Sequence, residues 1–272
     1  MITRDIDSVI ERRLLVNYRV DPAYVLALLP RGFRPQLVHG HAVGGVCFIR
    51  MSRIRPARMP GAAGMTSENV AHRFAVEWDD AEGTHSGVYV PRRETSSRVA
   101  ARIGRHVFPG AYNRARFDVR ESAAGIWIDV RSRDGKVSVC AEATPVAALS
   151  SELFDTVDDA MAFFRRGALG WSPSAVQGCL DGVRLDAASW TATPMAITRM
   201  RSSLFDDPAD FPAGTCALDS ALLMANIEAR WTAEQRSGRA GVPLRDSAQD
   251  GGSCYPHSGH ECTGSLACMC CM

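Results

Sequence analysis

The sequence is poor in lysine: its 31 basic residues include a single lysine, Lys136, and the others are arginines. An arginine guanidinium stays protonated at any accessible pH and is not a nucleophile, so chemistry that needs a side-chain amine would rest on one residue. Lys136 follows Asp134-Gly135, a typical hairpin turn, where a lysine is usually a solvated charge. The sequence therefore argues against amine catalysis.

The sequence also lacks an excess of charge of either sign and lacks long apolar runs. A net charge of +1 gives no broad basic field for nucleic acid or an anionic membrane surface. No stretch reaches the roughly 20 apolar residues that a membrane-spanning helix needs. The first residues, MITRDIDSVIERRL, are charged where a signal peptide would be apolar. We therefore expect a cytoplasmic protein with neither a nucleic-acid nor a membrane partner.

Alternating apolar residues predict a sheet with short turns between its strands. The predicted strands are residues 13–20, 42–54, 70–78, 86–91, 115–119, 126–131 and 137–143. Capping residues predict helices at 23–29, 98–106 and 160–166, and an apolar run predicts a closing helix at 219–231. The expected fold class is α+β, with a dominant curved, largely antiparallel β-sheet and a few short helices.

Composition divides the chain into three parts. Residues 1–234 have the mixed apolar and charged pattern of one folded domain, and residues 235–252 are rich in Gly, Ser and Arg, as in a flexible linker. Residues 253–272 form a tail that holds five of the nine cysteines. The other four, Cys47, Cys140, Cys179 and Cys216, are scattered in apolar contexts and are expected to be buried, reduced thiols.

Several segments of the folded domain resemble one known superfamily. NYRVDPAYVLALLPRGF (17–33) has a YR-x-D element before a short helix that ends at proline, and YVPRRETSSRVAARIGRHVFPGAY (89–112) resembles a GREL-type strand end. Both are similar to the acetoacetate decarboxylase superfamily, whose fold is a curved antiparallel sheet around a small apolar cavity, so the resemblance implies a cone-like or barrel-like sheet. Two later segments, SSELFDTVDDAMAFFRRG and PAGTCALDSALLMANIEARW, resemble its uncharacterised DUF2071 branch.

This resemblance implies a site without its usual nucleophile. In the decarboxylase, a lysine of lowered pKa forms a Schiff base with a β-keto acid. When Arg93-Glu94 is aligned with the Arg-Glu pair of the superfamily, the lysine position falls near residues 99–101, and no lysine stands there. Schiff-base decarboxylation is therefore not expected.

The resemblance also implies which residues form the site. Arg19 matches a cavity arginine and is expected to bind a carboxylate and take part in catalysis, and Arg93 is expected to bind substrate in the same way. Glu68 lies where the superfamily often has an acidic group, so it is the expected acid–base catalyst. His72 is expected to contact the substrate.

We therefore expect a small-molecule domain that binds a small carbonyl or carboxylate compound without a metal or other cofactor. The expected activity is a lyase, hydratase or isomerase reaction by acid–base chemistry. By analogy with the superfamily, the chain is also expected to form a homo-oligomer.

The tail leaves alternatives open. Gly251-Gly252 resembles a double-glycine leader cleavage site, and the following residues weakly resemble a lanthipeptide core, so the chain would be the precursor of a modified peptide and a substrate of peptide-modifying enzymes. A second interpretation is a non-catalytic protein with a metal-binding tail, since thiols and imidazoles suit Zn or Cu(I). The donors would be Cys254, His257, His260, Cys262, Cys268, Cys270 and Cys271. The third is an extension without function.

Overall fold

The computed structural model describes residues 5–57, 59, 64–101, 111–174 and 179–234. The first strands are β1 (Ile6–Val20), β2 (Arg34–Pro35), β3 (Leu37–Val38), β4 (His41–Pro56), β5 (Met65–Asp80) and β6 (Gly83–Thr95). The later ones are β7 (Tyr112–Ser122), β8 (Gly125–Ser132), β9 (Ser138–Pro145), β10 (Leu169–Pro173), β11 (Leu180–Ala187), β12 (Thr193–Ser202) and β13 (Cys216–Glu234). The helices are α1 (Pro22–Leu28) and α2 (Val157–Arg166), and residues 98–101 are also helical.

The strands form one curved sheet that closes on itself twice. Strands β13, β1, β4, β5 and β6 lie side by side, and β10 and β11 connect β6 back to β13 to complete a small ring. Strands β7, β8, β9 and β12 connect the same two edges by a longer route and complete a large ring. The pairs β6–β10 and β6–β7 are parallel, and the other pairings are antiparallel. The predicted curved, largely antiparallel sheet is confirmed.

The five shared strands form a wall that is buried on both faces. Leu15 on β1 packs into the core of the small ring, whereas its neighbours Leu14 and Val16 pack into the core of the large ring, and all three are fully buried. Successive side chains of a strand point to opposite faces, so a strand between two cores is apolar on both. Adjacent residues on a strand of the wall therefore place their side chains in different cores, one in the small ring and the next in the large ring.

The predicted closing helix at 219–231 is wrong, because this segment lies within β13. Its Ala, Leu, Met and Glu residues favour a helix locally, but β13 belongs to the wall and is apolar on both faces. Leu222 and Met224 face the small ring while Ala221 faces the large one, so the run lacks the alternation of a half-buried strand.

The capping residues predicted α1 and α2 correctly. Asp21 accepts a hydrogen bond from the backbone N–H of Ala23, with Pro22 in the first turn, and Thr156 accepts one from Asp159. The third predicted helix, 98–106, is helical at 98–101, and its other residues lie outside the described part of the chain. Neither α1 nor α2 has the length and hydropathy needed to cross a bilayer.

Helix α2 closes part of the small ring with aromatic side chains. Phe163 and Phe164 pack edge-to-face, with their ring centres 5.4 Å apart, and both contact Phe154. Of the four cysteines in the described residues, Cys47 and Cys140 are buried as expected, whereas Cys179 and Cys216 are partly exposed, so the expected burial of these two is wrong.

Candidate active site

A cavity of about 240 Å³ lies on the small-ring side of the wall. Its lining is mainly apolar, and three of its polar side chains are arginines: Arg13 on β1, Arg73 on β5 and Arg93 on β6. We call it the arginine cavity. Other lining residues include Cys47, Ile49, Asn69, Tyr112, Phe164 and Leu185. Within the described chain, the lining contains no Asp, Glu, His or Lys, so its ionisable charge is cationic.

Arg73 is the most deeply buried of the three arginines, with 3% of its surface exposed. Its Nη2 donates to the side-chain oxygen of Asn17, and its guanidinium lies over the Phe164 ring, 4.6 Å from the ring centre. Its Nε and Nη1 atoms are buried and have no hydrogen-bond partner in the described structure. Burial lowers the pKa of Arg73 to about 10, so the group stays charged at neutral pH.

Gly45 on β4 makes room for this guanidinium. Gly45 is opposite Arg73 in the β4–β5 register. A Cβ at Gly45 would lie 3.1 Å from Cζ and Nη2 of Arg73 and 2.6 Å from the carbonyl oxygen of Val16. A glycine here therefore permits the close approach of strand and side chain.

The other two arginines approach the cavity from different strands. Arg13 has a buried, unpartnered Nε, and its guanidinium lies 5.7 Å from the Trp190 ring centre. Arg93 donates from Nη1 to the Tyr112 hydroxyl oxygen at 3.3 Å. None of the three cavity arginines forms an ion pair with a carboxylate of the described residues.

Arg93 and Tyr112 lie where β6 changes its partner. Val88 and Tyr89 pair with β10, whereas Arg93 pairs with Tyr112 at the start of β7. The two rings separate at this point. Burial raises the pKa of Tyr112, and Arg93 opposes part of that rise. The phenol is therefore protonated at neutral pH and can donate a hydrogen bond.

Glu68 lies in a buried ion-pair cluster that does not contribute to the described cavity lining. Arg12, with 2% of its side chain exposed, contacts Glu68 through Nη2 and Glu121 through Nη1, and Arg50 donates to the other oxygen of Glu68 at 3.0 Å. We call these four residues the Arg12 cluster. The catalytic role of Glu68 stays a prediction.

Arg19 is also engaged away from the described cavity lining. Its guanidinium lies 2.7 Å from a carboxylate oxygen of Glu152 and 3.3 Å from one of Asp219, whose side chain is 1% exposed. The predicted binding and catalytic roles of Arg19 stay untested. Arg93 is the one predicted site residue found among the residues that line the cavity.

His72 faces the large ring, because it is adjacent in sequence to Arg73 and strand side chains alternate. Its Nε2 lies 2.9 Å from the Ser202 hydroxyl, which also accepts hydrogen bonds from the backbone N–H groups of Leu204 and Phe205. The Ser202 hydroxyl therefore donates to a neutral His72 ring. Its predicted substrate contact stays a prediction.

The burial of His72 predicts a dependence of stability on pH. Burial, aided by repulsion from Arg92, lowers the pKa of His72 to about 4, against an ordinary value of 6.5. The unfolded chain therefore binds an extra proton between these pH values, and this stability contribution is lost as pH falls from about 6.5 towards 4, with a slope approaching 1.4 kcal/mol per pH unit. Urea unfolding of wild type and His72→Gln across this range measures the slope.

The exposed His39 provides the control for that measurement, because His39→Asn removes a histidine from the surface. The wild-type slope is expected to persist in His39→Asn and to flatten in His72→Gln. Equal slopes in wild type and His72→Gln would contradict the assignment.

Comparison with known proteins identifies the family. The model of the DUF2071 family, described as an uncharacterised conserved protein, matches residues 9–207. The chain belongs to the DUF2071 family. Comparison with curated protein sequences finds no match.

The solved structures that this DUF2071 protein resembles are acetoacetate decarboxylase-like. Acetoacetate decarboxylase from Legionella pneumophila gives a TM-score of 0.53 at 14% identity over 89% of this chain and 88% of that one. An acetoacetate decarboxylase-like enzyme from Sphingomonas wittichii RW1 gives 0.51 at 13%, over 85% and 92%. The enduracididine biosynthesis enzyme MppR, complexed with pyruvate, gives 0.51 at 13%, over 85% and 88%. At these identities the likeness establishes a shared fold.

The position that the superfamily resemblance assigns to the catalytic lysine lies at the arginine cavity. Val99 and Ala100 line the cavity and are followed by Ala101. Lys136 is exposed between β8 and β9, and its backbone N–H donates to Asp134. The cavity of this DUF2071 protein thus has arginines and a tyrosine where the resemblance leads one to look for an amine.

The tail lies outside the described residues, so the expected cleavage after Gly252 and the metal-binding interpretation stay predictions. In the described parts of the chain, no group of three or more His, Cys, Asp or Glu side chains is placed to hold a metal ion.

Sequence reasoning missed Arg13 and Arg73. For Arg73 a signal was available: the residues two positions away, Ala71 and Ala75, share its face of β5 and carry no charge. The usual partner of an arginine on an apolar strand face is a carboxylate two residues away on the same face. Arg73 has no carboxylate at either of these two positions. Arg13 offers no such signal, because Glu11 precedes it by two residues.

Proposed function

We propose that this DUF2071 protein binds a small keto acid in the arginine cavity. Arg93 binds a carboxylate and Tyr112 donates a hydrogen bond to the carbonyl oxygen. The observation that carries the proposal is an apolar cavity with three arginines and, among its described lining residues, no carboxylate to neutralise them. A buried charge is costly unless it is paired, so an anionic ligand is the complement that this lining favours.

The expected chemistry is polarisation of the carbonyl group by hydrogen-bond donors, a feature shared by many lyase, hydratase and isomerase reactions, with solvent water as the proton acceptor. Tyr112 is suited to hydrogen-bond the carbonyl oxygen, because its raised pKa keeps it protonated. The adjacent Arg93 guanidinium would stabilise negative charge that develops on that oxygen. The fold similarity to MppR, whose structure contains pyruvate, supports a keto acid as the ligand class.

The proposal predicts a ligand-dependent thermal shift. Pyruvate, acetoacetate and 2-oxoglutarate are to be titrated against wild type, Arg93→Met and Arg19→Met. A bound keto acid is expected to raise the wild-type Tm by about 5–10 °C at a hundred times Kd, because it binds only the folded state. Arg93→Met should lose most of this shift.

Arg19→Met tests the site predicted from sequence, and Arg120→Met, whose side chain is 75% exposed, controls for loss of a surface charge. Both variants are expected to keep the full shift. Loss of the shift in Arg19→Met but not in Arg93→Met would overturn the cavity assignment. Absence of any shift in wild type would overturn the binding proposal itself.

A lysine-free chain tests the exclusion of imine chemistry. Lys136→Arg removes the one lysine of the sequence at an exposed hairpin, so the fold should be unaffected. We expect wild type and variant to give the same ligand shift. We also expect no lysine adduct in either after treatment with a keto acid and borohydride, as read by peptide mass spectrometry. An adduct trapped on Lys136, together with a shift lost in the variant, would restore amine catalysis.

A further inference from the structure

The arginine cavity has more positive charge than one carboxylate can neutralise. Arg93 stands beside Tyr112, while Arg13 and Arg73 extend the cationic surface to other strands. Charges in an apolar cavity are poorly screened, and their mutual repulsion persists until a ligand balances it. A monocarboxylate on Arg93 would leave two guanidiniums without an anion.

The guanidinium of Arg73 is held in place and has nitrogen atoms that could bind a ligand. Its guanidinium is held on one side by Asn17 and on another by the Phe164 ring, so its orientation is fixed before anything binds. Two of its nitrogens, Nε and Nη1, remain buried without a partner. A fixed, desolvated donor with unused N–H groups is the arrangement that gives strong, charge-assisted hydrogen bonds to an anion.

The positions of Arg73 and Arg93 suit two anionic groups on one short molecule. Arg93 is opposite Ala71 in the β5–β6 register, and Arg73 is two residues further along β5. The register shifts between His72 and Phe74, so Arg73 lies at a β-bulge, and Arg73 and Arg93 are neighbours on adjoining strands that both line the cavity. The lining near them includes Cys47, Val90 and Phe164, which favour a carbon chain between two charged ends.

We propose that the ligand of the arginine cavity is a keto-dicarboxylate, with one carboxylate on Arg93 and the second on Arg73, supported by Arg13. This inference rests on the proposed function, because it specifies the ligand class of the same cavity. The lowered pKa of Arg73 is consistent with it, since repulsion from Arg13 contributes to that shift.

The test compares 2-oxoglutarate with 2-oxopentanoate, in which a methyl group replaces the second carboxylate. Calorimetric titration at neutral pH and low salt should give at least about tenfold tighter binding of 2-oxoglutarate to wild type. In Arg73→Met the two affinities should become similar, because only 2-oxoglutarate loses a contact. Arg93→Met should weaken both ligands.

Arg13→Met provides an independent check, since Arg13 is less buried than Arg73 and its removal leaves the Arg73–Asn17 contact in place. It should reduce the preference for 2-oxoglutarate, whereas Arg120→Met should leave it unchanged.

A comparison of phosphonoacetate with malonate tests whether the second anionic group is a carboxylate. Tighter binding of phosphonoacetate would overturn that assignment. Equal wild-type affinities for the two keto acids would overturn the dicarboxylate inference but leave keto-acid binding intact. No binding of either would overturn both.

Discussion

Glu68→Gln is expected to lower the free energy of unfolding by about 3–5 kcal/mol. Arg12 has 2% of its side chain exposed, and Glu68 is its buried carboxylate partner, while its other partner, Glu121, is 46% exposed. Removing the charge of Glu68 leaves a buried guanidinium with only that exposed partner. Breaking one side of a buried ion pair costs more than the pair itself contributes, because the remaining charge is desolvated without compensation.

Urea unfolding measures this loss, and two comparisons make it specific. Glu77→Gln, on the same strand, removes a carboxylate from a pair with the 44% exposed Arg34 and should cost less than about 1 kcal/mol. The double variant Arg12→Met/Glu68→Met removes both charges and should recover much of the stability lost in Glu68→Gln.

The same variant separates the structural role of Glu68 from its predicted catalytic role. We expect Glu68→Gln to bind keto acids as wild type does, at a temperature where both are folded. Unchanged stability combined with loss of ligand binding or turnover would contradict the structural role and support Glu68 as a site residue.

Local patterns in the sequence predicted much of the fold but not its closure. The caps of α1 and α2 are formed by residues a few positions apart, so a short stretch of sequence is enough to predict where each helix begins. The strand β13 was predicted as a helix because its two-sided burial depends on strands from distant parts of the chain. The alternation of apolar residues predicted a curved antiparallel sheet, and the segment resemblance added its cone-like or barrel-like form around a cavity.

The resemblance pointed to part of the cavity lining, whereas Arg19 and Glu68, which it also assigned to the site, are not among the described lining residues. Arg93 and residues 99–101 were taken from a motif, and Arg93, Val99 and Ala100 do line the cavity. Glu68 and His72 lie on the same strand as Arg73 but project towards different neighbours. Which face of β5 borders the cavity depends on how the two rings close, and this is a property of the whole sheet. The uncharged neighbours of Arg73 mark it as unusual, but they do not show which face of β5 borders a cavity.

Arg73→Met is expected to make the ligand-free protein more stable, by about 1–2 kcal/mol. Lowering the pKa of Arg73 from 12.5 to about 10 corresponds to a folded-state penalty on the order of 3 kcal/mol at neutral pH, because both states are charged there and burial disfavours the folded one. Methionine removes this penalty and can pack against the Phe164 ring in place of the guanidinium, while loss of the hydrogen bond to Asn17 costs about 1–2 kcal/mol.

The same substitution at Arg12 is the matched comparison, because both arginines are buried on the wall but only Arg12 has carboxylate partners. Arg12→Met should destabilise the protein, so the two variants should move in opposite directions. Arg73→Gln removes the charge and keeps amide donors near Asn17, and it should be at least as stable as wild type. Destabilisation of Arg73→Met by more than about 1 kcal/mol would indicate that Arg73 serves the fold.

Ligand should offset the stability that Arg73→Met gains. At about a hundred times the wild-type Kd, 2-oxoglutarate stabilises the folded wild type by about 2.7 kcal/mol, whereas a variant that binds it about tenfold more weakly gains about 1.4 kcal/mol. The stability advantage of Arg73→Met over wild type should therefore shrink by about 1.3 kcal/mol when 2-oxoglutarate is added. A residue that costs stability until a ligand arrives is retained for binding, because the fold alone would favour methionine at that position.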